Sequence, residues 1–272
     1  MDIRYASSPS EVKHLDTGEL RKRFLVQNVF EPGKINLTYT HHDRIVVGGA
    51  APAGKTLTLG SYDPLRTKYF CENREIAVMN VGGPGTIVAD GVTYELGNKT
   101  ALYIGRGTKD ITFSGQDAKF YIFSATSHHD HPTTLVTPEE ANVLNLGDQE
   151  NSNKRTVRQM IHAGGVKSSQ VVMGFTALEP GSMWNTMPAH THDRRTECYL
   201  YTDVPDGARV FHMMGRPDET RHLIMANDEI VISPSWSVHS GVGTQAYTFV
   251  WTMAGENQDY TDMDVLQPAD LL

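Results

Sequence analysis

Along most of the chain, apolar residues fall in short β-favouring runs rather than at the three-to-four spacing of an amphipathic helix. In the first half these runs are 35–40, 44–47, 76–81, 101–104 and 119–123. Between them stand strong turn formers: Gly82-Gly83-Pro84-Gly85, Asp90-Gly91 and Gly105-Arg106-Gly107. The second half repeats the style with runs at 197–201, 208–213, 222–225, 229–232 and 247–251. Its turns are Pro205-Asp206-Gly207, Gly215-Arg216-Pro217-Asp218 and Asn227-Asp228. Short strands at such regular spacing predict an all-β chain of antiparallel sandwiches or barrels. Only two helices are expected, one near 17–26 and a short one from Thr137-Pro138-Glu139-Glu140.

The polar stretch 126–155 divides the pattern, so the expected organisation is an N-terminal lobe (1–125), a linker (126–155) and a C-terminal lobe (156–272). An internal echo relates the lobes. Residues 100–125 lie without gaps on 229–254, both reading as strand, turn, strand, turn and aromatic strand. In that register Asp110 stands opposite His239, and the N-terminal lobe lacks an HxH pair, so no equivalent metal is expected there.

Composition narrows the function. The 272 residues are 39% hydrophobic and 21% charged, a balance that folds. With Lys and Arg at 24 against 32 Asp and Glu, the net charge of −8 argues against nucleic acid as the main partner. A small acidic substrate stays open, because two local arginines outweigh a distant negative average. Cys71 and Cys198 have no CxxC spacing, so a disulfide is not expected and a reducing compartment fits. Met1-Asp2-Ile3-Arg4-Tyr5 opens no apolar leader, and no run reaches the length of a membrane span. The expected location is the cytoplasm.

The candidate chemistry sits in Pro188-Ala189-His190-Thr191-His192-Asp193-Arg194-Arg195-Thr196-Glu197. Two residues apart on a strand, His190 and His192 share a face; on a helix they would sit on opposite sides. Glu197 is an odd step beyond His192, but a turn at Asp193-Arg194-Arg195 returns the next strand with its carboxylate to the same interior. A fourth ligand is expected from Ser233-Pro234-Ser235-Trp236-Ser237-Val238-His239-Ser240-Gly241, where a Pro turn precedes His239. Imidazole and carboxylate donors suit zinc, iron or manganese. The remaining histidines carry blander readings: His128-His129-Asp130-His131 as a solvated loop, His41-His42 as a strand end, and His212 and His222 as strand residues of either face.

HxHx4E followed by a distant Pro-turn-His resembles the two half-motifs of the cupin superfamily of jelly-roll β-barrels, although its glycine spacings are not kept. A closer resemblance is carried by residues 184–195, by Phe211-His212-Met213-Met214-Gly215, by Glu219-Thr220-Arg221-His222 and by 233–243. Asp43-Arg44-Ile45-Val46-Val47-Gly48-Gly49, Ala101-Leu102-Tyr103-Ile104-Gly105 and Ala118-Lys119-Phe120-Tyr121 extend it into the first half. These runs resemble the 5-keto-4-deoxyuronate isomerase family, also called 4-deoxy-L-threo-5-hexosulose-uronate ketol-isomerase. The resemblance implies two cupin-like lobes with few short helices, one zinc ion per subunit on His190, His192, Glu197 and His239, and a homohexamer acting in pectin and uronate catabolism.

It also implies isomerisation of 5-dehydro-4-deoxy-D-glucuronate to 3-deoxy-D-glycero-2,5-hexodiulosonate. The metal would stabilise an enediolate as a Lewis acid, and iron or manganese would be tolerable because no redox change occurs. A carboxylate-bearing substrate calls for arginine, so Arg194 and Arg195 are the candidate anchors and Trp184 a candidate apolar wall. The sequence names no proton-transfer base. Two other classes share the ligands: a metal-dependent cupin dioxygenase, which consumes oxygen, and a non-catalytic sugar-binding cupin.

Overall fold

The computed structural model describes all 272 residues. In chain order its elements begin with β1 (Asp2–Arg4), α1 (Pro9–Val12), α2 (Thr17–Phe24), β2 (Leu25–Val26), β3 (Lys34–Thr40), β4 (Val46–Ala51), β5 (Leu57–Thr58) and β6 (Arg74–Asn80). Next come β7 (Gly85–Ala89), β8 (Val92–Leu96), β9 (Ala101–Ile104), β10 (Ile111–Ser114), β11 (Phe120–Thr126), β12 (Thr134–Val136), β13 (Asn142–Leu146) and β14 (Arg155–Ile161). The last are β15 (Val172–Leu178), β16 (Trp184–Asn185), β17 (His190–Thr191), β18 (Arg195–Thr202), β19 (Val210–Arg216), β20 (Glu219–Met225), β21 (Glu229–Ser233), β22 (Ser240–Gly243), β23 (Thr248–Gly255) and β24 (Asp264–Val265).

The chain forms two compact units. The first comprises Met1–Arg4, Asn28–Ala141 and Met160–Met173; the second comprises Tyr5–Gln27, Asn142–Gln159 and Gly174–Leu272. These bounds differ from the lobes expected above. The expected linker is not a free segment, because β12 pairs with β9 and β13 with β14. The helix expected near 17–26 is α2, which stops at Phe24, where Leu25 turns to extended backbone and pairs with Val231. Its start is capped by the Asp16 side chain, which accepts the Glu19 N–H at 2.8 Å, and its Leu20 and Phe24 are buried on one face. The helix expected from Thr137 is instead a single turn, closed by the Glu140 N–H on the Thr137 carbonyl. The chain then extends, with Asn142–Leu146 recruited into an antiparallel ladder.

In the first unit a seven-stranded sheet, ordered β1-β3-β4-β11-β6-β9-β12, accompanies a four-stranded one, β5-β10-β7-β8. Ile76, Val78, Ile104 and Ile122 of the larger sheet pack with Ile87, Leu96, Ile111 and Phe113 of the smaller. Alternation along each strand puts these side chains on the inner faces. Full burial of such side chains stabilises by about 1.5–3 kcal/mol each.

The second unit has the same plan: β13-β14-β15-β23-β18-β21-β2 and β16-β22-β19-β20, with a small β17-β24 pair added. Laying residue 100 on residue 229 brings β9, β10 and β11 onto β21, β22 and β23 to within one residue. The correspondence has a chemical consequence. Glu197 lies between Ser233 and Met253 in its ladder, and the matching node, between Ile104 and Ser124, is Ile76. Where the second unit carries a buried carboxylate, the first carries an apolar core residue.

Candidate metal centre

His190 comes from β17 and His192 follows it directly. A turn closed by the Arg195 N–H on the His192 carbonyl at 3.1 Å then starts β18, which carries Glu197 inward. His239 arrives on the segment before β22, after the Ser237 N–H closes a turn on Pro234. These four side chains, far apart in pairs along the chain, offer ligand atoms that all lie within 4.8 Å of one another. His239 Nε2 stands 2.9 Å from His190 Nε2 and 2.9 Å from Glu197 Oε2, and His192 Nε2 stands 2.9 Å from Glu197 Oε2. His192, Glu197 and His239 are buried.

The donor chemistry fits a cation. His192 Nδ1 faces the Arg195 carbonyl at 3.0 Å, and a carbonyl only accepts, so Nδ1 holds the proton. In the neutral ring Nε2 then turns a lone pair toward the Glu197 carboxylate. His239 has the same orientation, with Nδ1 toward the Ser237 carbonyl at 3.4 Å and Nε2 toward the cluster. Lone pairs aimed at one another repel unless a cation lies between them, and a carbonyl behind the imidazole is the usual device for orienting a metal ligand. Electrostatics favour the metal-binding forms of His190 and Glu197. Burial, with His239 nearby, pushes His190 down to about 2, so its ring is neutral near pH 7. Burial also opposes charge on His192, but its hydrogen bond and attraction to Glu197 outweigh this and raise it. Desolvation works against the Glu197 anion too, yet His239 and His192 hold its carboxyl far below the usual range. Ionised carboxylate and neutral imidazole are the forms that bind metal, so His192, raised beside Glu197, would release its Nε2 proton to an incoming ion.

The cluster opens onto a cavity of about 270 Å³. Its wall follows the two-residue period of the large sheet: Arg155 and Val157 from β14, Thr176 from β15, Phe249, Trp251 and Met253 from β23, and Arg195, Glu197 and Tyr199 from β18. Tyr260, Met263 and Val265 close it from the C-terminal segment. Glu197 is the only carboxylate in this lining, whereas two arginines contribute.

The two arginines nominated from the sequence part company. Arg195 is 1% exposed and lines the cavity; its Nη2 donates to the Asp262 carbonyl at 2.9 Å, while Nε and Nη1 have no hydrogen-bond partner. Arg194 turns away and is engaged by the Asp262 side chain, its Nε donating to both carboxylate oxygens at 2.8 Å. Arg194 sits in the turn before β18, whereas Arg195 is the first residue of the strand and shares the inward face of Glu197 two residues on. Trp184 also falls outside the lining: in β16 its neighbour Asn185 is the buried residue and Trp184 takes the other face. His212 is buried with Nδ1 2.8 Å from the Tyr201 hydroxyl, and His222 is exposed. His128 and His129 are exposed in a loop whose Asp130 pairs with Arg106. Sequence reasoning missed Arg155, Tyr199, Trp251 and Tyr260. Arg155 follows a polar stretch and Tyr260 sits in a polar tail, and neither has a local signal.

Paired sheets of this order, with three imidazoles and a carboxylate converging within one unit, define a cupin-like protein with a candidate divalent-metal centre. Among solved structures, an IolB-like protein from Salmonella typhimurium LT2 shares the fold at a TM-score of 0.73 and 16% identity, over 89% of this chain and 96% of that one. The chain belongs to the KduI/IolB family, whose model matches residues 24–267. It is 53% identical over 278 residues to the 4-deoxy-L-threo-5-hexosulose-uronate ketol-isomerase of Kineococcus radiotolerans, covering 100% of both chains. It is 54% identical over 274 residues to the protein of that name from Formosa agariphila, covering 99% of this chain and 98% of that one.

Proposed function

We propose that this chain is a metal-dependent ketol-isomerase that converts 5-dehydro-4-deoxy-D-glucuronate to 3-deoxy-D-glycero-2,5-hexodiulosonate. The observation that carries the reading is the meeting, in one cavity, of a three-histidine, one-carboxylate cluster with a buried arginine whose Nε and Nη1 are unpartnered. Full-length relatives at about half identity bear the name of this activity. His190, His192, Glu197 and His239 would hold the ion, zinc at one per subunit, with iron or manganese as substitutes. When bound, the ion supplies Lewis acidity toward a carbonyl and its neighbouring hydroxyl.

The chain's own groups do the rest. The Arg195 carbonyl and the Ser237 carbonyl keep two imidazoles in the ligand tautomer. Glu197, held ionised among the histidines, is a ligand rather than the base that moves the proton. Arg195 offers two N–H groups to the oxygens of the bound sugar acid, in a wall where Trp251, Phe249 and Met253 exclude water. No helix is long and apolar enough to cross a membrane. The reading includes pectin and uronate breakdown in the cytoplasm and a homohexamer by family likeness.

Purified protein, analysed for metal, is incubated with the unsaturated-uronate breakdown product and conversion is followed by NMR beside a chelator-stripped sample. Conversion without oxygen uptake, lost on stripping and restored by metal, is the expected result. Full activity in a sample free of metal would sink the mechanism.

A further inference from the structure

The cavity holds a second arginine, on a strand three steps across the sheet from the one that carries Glu197. Arg155 opens β14, half-buried, with Nη1 donating to the Asn153 carbonyl at 2.8 Å. No carboxylate pairs with it, and Glu197 is the only acid in the cavity wall. Burial lowers its guanidinium below the usual range, and the only groups that offset this are the phenols of Tyr260, Tyr199 and Tyr247, which their own burial keeps neutral near pH 7. A cation drawn out of water without a counter-ion is costly, and on a cavity wall an anionic ligand offsets that cost.

Arg195 does not duplicate it. Arg195 precedes Glu197 by two residues on the same strand face, and its carbonyl holds His192, so it belongs to the metal end. In the sheet β14 is separated from β18 by β15 and β23, three inter-strand steps or about 14 Å of backbone. Thr176 and Trp251 form the wall between, with the Trp251 Nε1 donating to Thr176 Oγ1 at 3.1 Å.

We propose that Arg155 is a specificity-determining residue that receives the substrate's carboxylate at the end of the cavity remote from His190, His192, Glu197 and His239, while Arg195 serves the oxygens at the metal end. This assignment rests on the isomerase reading and sharpens the substrate class. The ligand is an open-chain sugar acid whose carboxylate lies several carbons from the reacting carbonyl, so that one molecule spans both ends. A two- or three-carbon hydroxy acid would reach only one.

Wild type, R155Q and R155K, each loaded with metal and analysed for it, are compared on 5-dehydro-4-deoxyuronate and its methyl ester. Binding of the borohydride-reduced acid, which cannot isomerise, is measured by calorimetry on the same samples. Losing a charge-assisted hydrogen bond predicts a KM for the acid raised roughly 10–100-fold in R155Q, with kcat within about threefold. The reduced acid binds more weakly by a similar factor, the ester is little affected, and metal content is unchanged. R155K recovers part of the preference for acid over ester. An R155Q enzyme that keeps the wild-type preference, or loses kcat at unchanged KM, overturns the Arg155 assignment alone. A wild-type protein that isomerises neither compound overturns the isomerase reading and this assignment with it.

Discussion

At the scale of single residues, the centre depends on tautomers and parity. Two of the three imidazoles offer a lone pair because the opposite nitrogen is committed elsewhere, His192 Nδ1 to the Arg195 carbonyl and His239 Nδ1 to the Ser237 carbonyl. Removing one donor breaks the set rather than weakening it in proportion. His239→Ala is therefore expected to lose bound metal on dialysis and to lower turnover by roughly 10³-fold or more, since Lewis-acid stabilisation is worth several kcal/mol. Elemental analysis beside the rate assay checks this, and a variant with a full metal complement would remove His239 from the ligand set. The four candidate ligands were legible in the sequence because His190 and His192 are a local pair and a turn of obvious composition precedes Glu197. Arg194 and Trp184 fall outside the cavity lining. Alternation along β16 turns Trp184 to the face opposite buried Asn185, and Arg194 lies in the turn closed between His192 and Arg195, ahead of β18.

At the scale of elements, the large sheet of the second unit is the scaffold of the cavity, and its strands must lie close. Gly174 in β15 shows how close: a Cβ there would meet Trp251 Cζ2 at 2.2 Å and the Arg158 carbonyl oxygen at 2.4 Å. One of those atoms is backbone, so the strain cannot be relieved by a rotamer change alone. Gly174→Ala is expected to destabilise by about 1–3 kcal/mol or more, read from the denaturation midpoint. Trp251 would be displaced from its hydrogen bond to Thr176, so its fluorescence shifts as well. An unchanged midpoint would contradict the packing described. Most strands were legible from β-favouring runs between turns, down to the bounds of β9. The stretch 126–155 was not, because exposed strands such as β13 carry polar residues on both sides and owe their form to pairing with β14.

At the scale of the whole molecule, burying imidazoles makes stability depend on pH. His190 and His212 are pushed down by burial to about 2 and about 3, against an ordinary value of 6.5. Below about pH 6.5 the unfolded chain binds those protons while the folded chain does not, so their contribution is lost as pH falls. Glu197, lowered from 4.5, acts in the same sense further down the scale. His192 is raised, and its contribution is present below 6.5 and lost as pH rises through its folded value. His42, pushed down to about 4 by burial, and His162, also lowered by burial, act in the same sense as the other two. Four depressed imidazoles oppose one raised, so Tm of chelator-treated protein should drop by at least about 5 °C between pH 7 and pH 5. Scanning calorimetry over that range decides it, and a flat or rising Tm would contradict the neutral, buried state of His190 and His212.

The sequence by itself determined the all-β class, the internal repeat and the candidate ligand cluster, because each is written in spacing along the chain: period two within strands, turn residues between them, and histidines two apart. Only the tertiary structure decided which arginine enters the cavity, that Arg155 stands across it from Arg195, and that residues 5–27 belong with the second unit. Those facts depend on which strands become neighbours and which face each one buries. Sheet order joins residues far apart in the chain, and no local pattern records it.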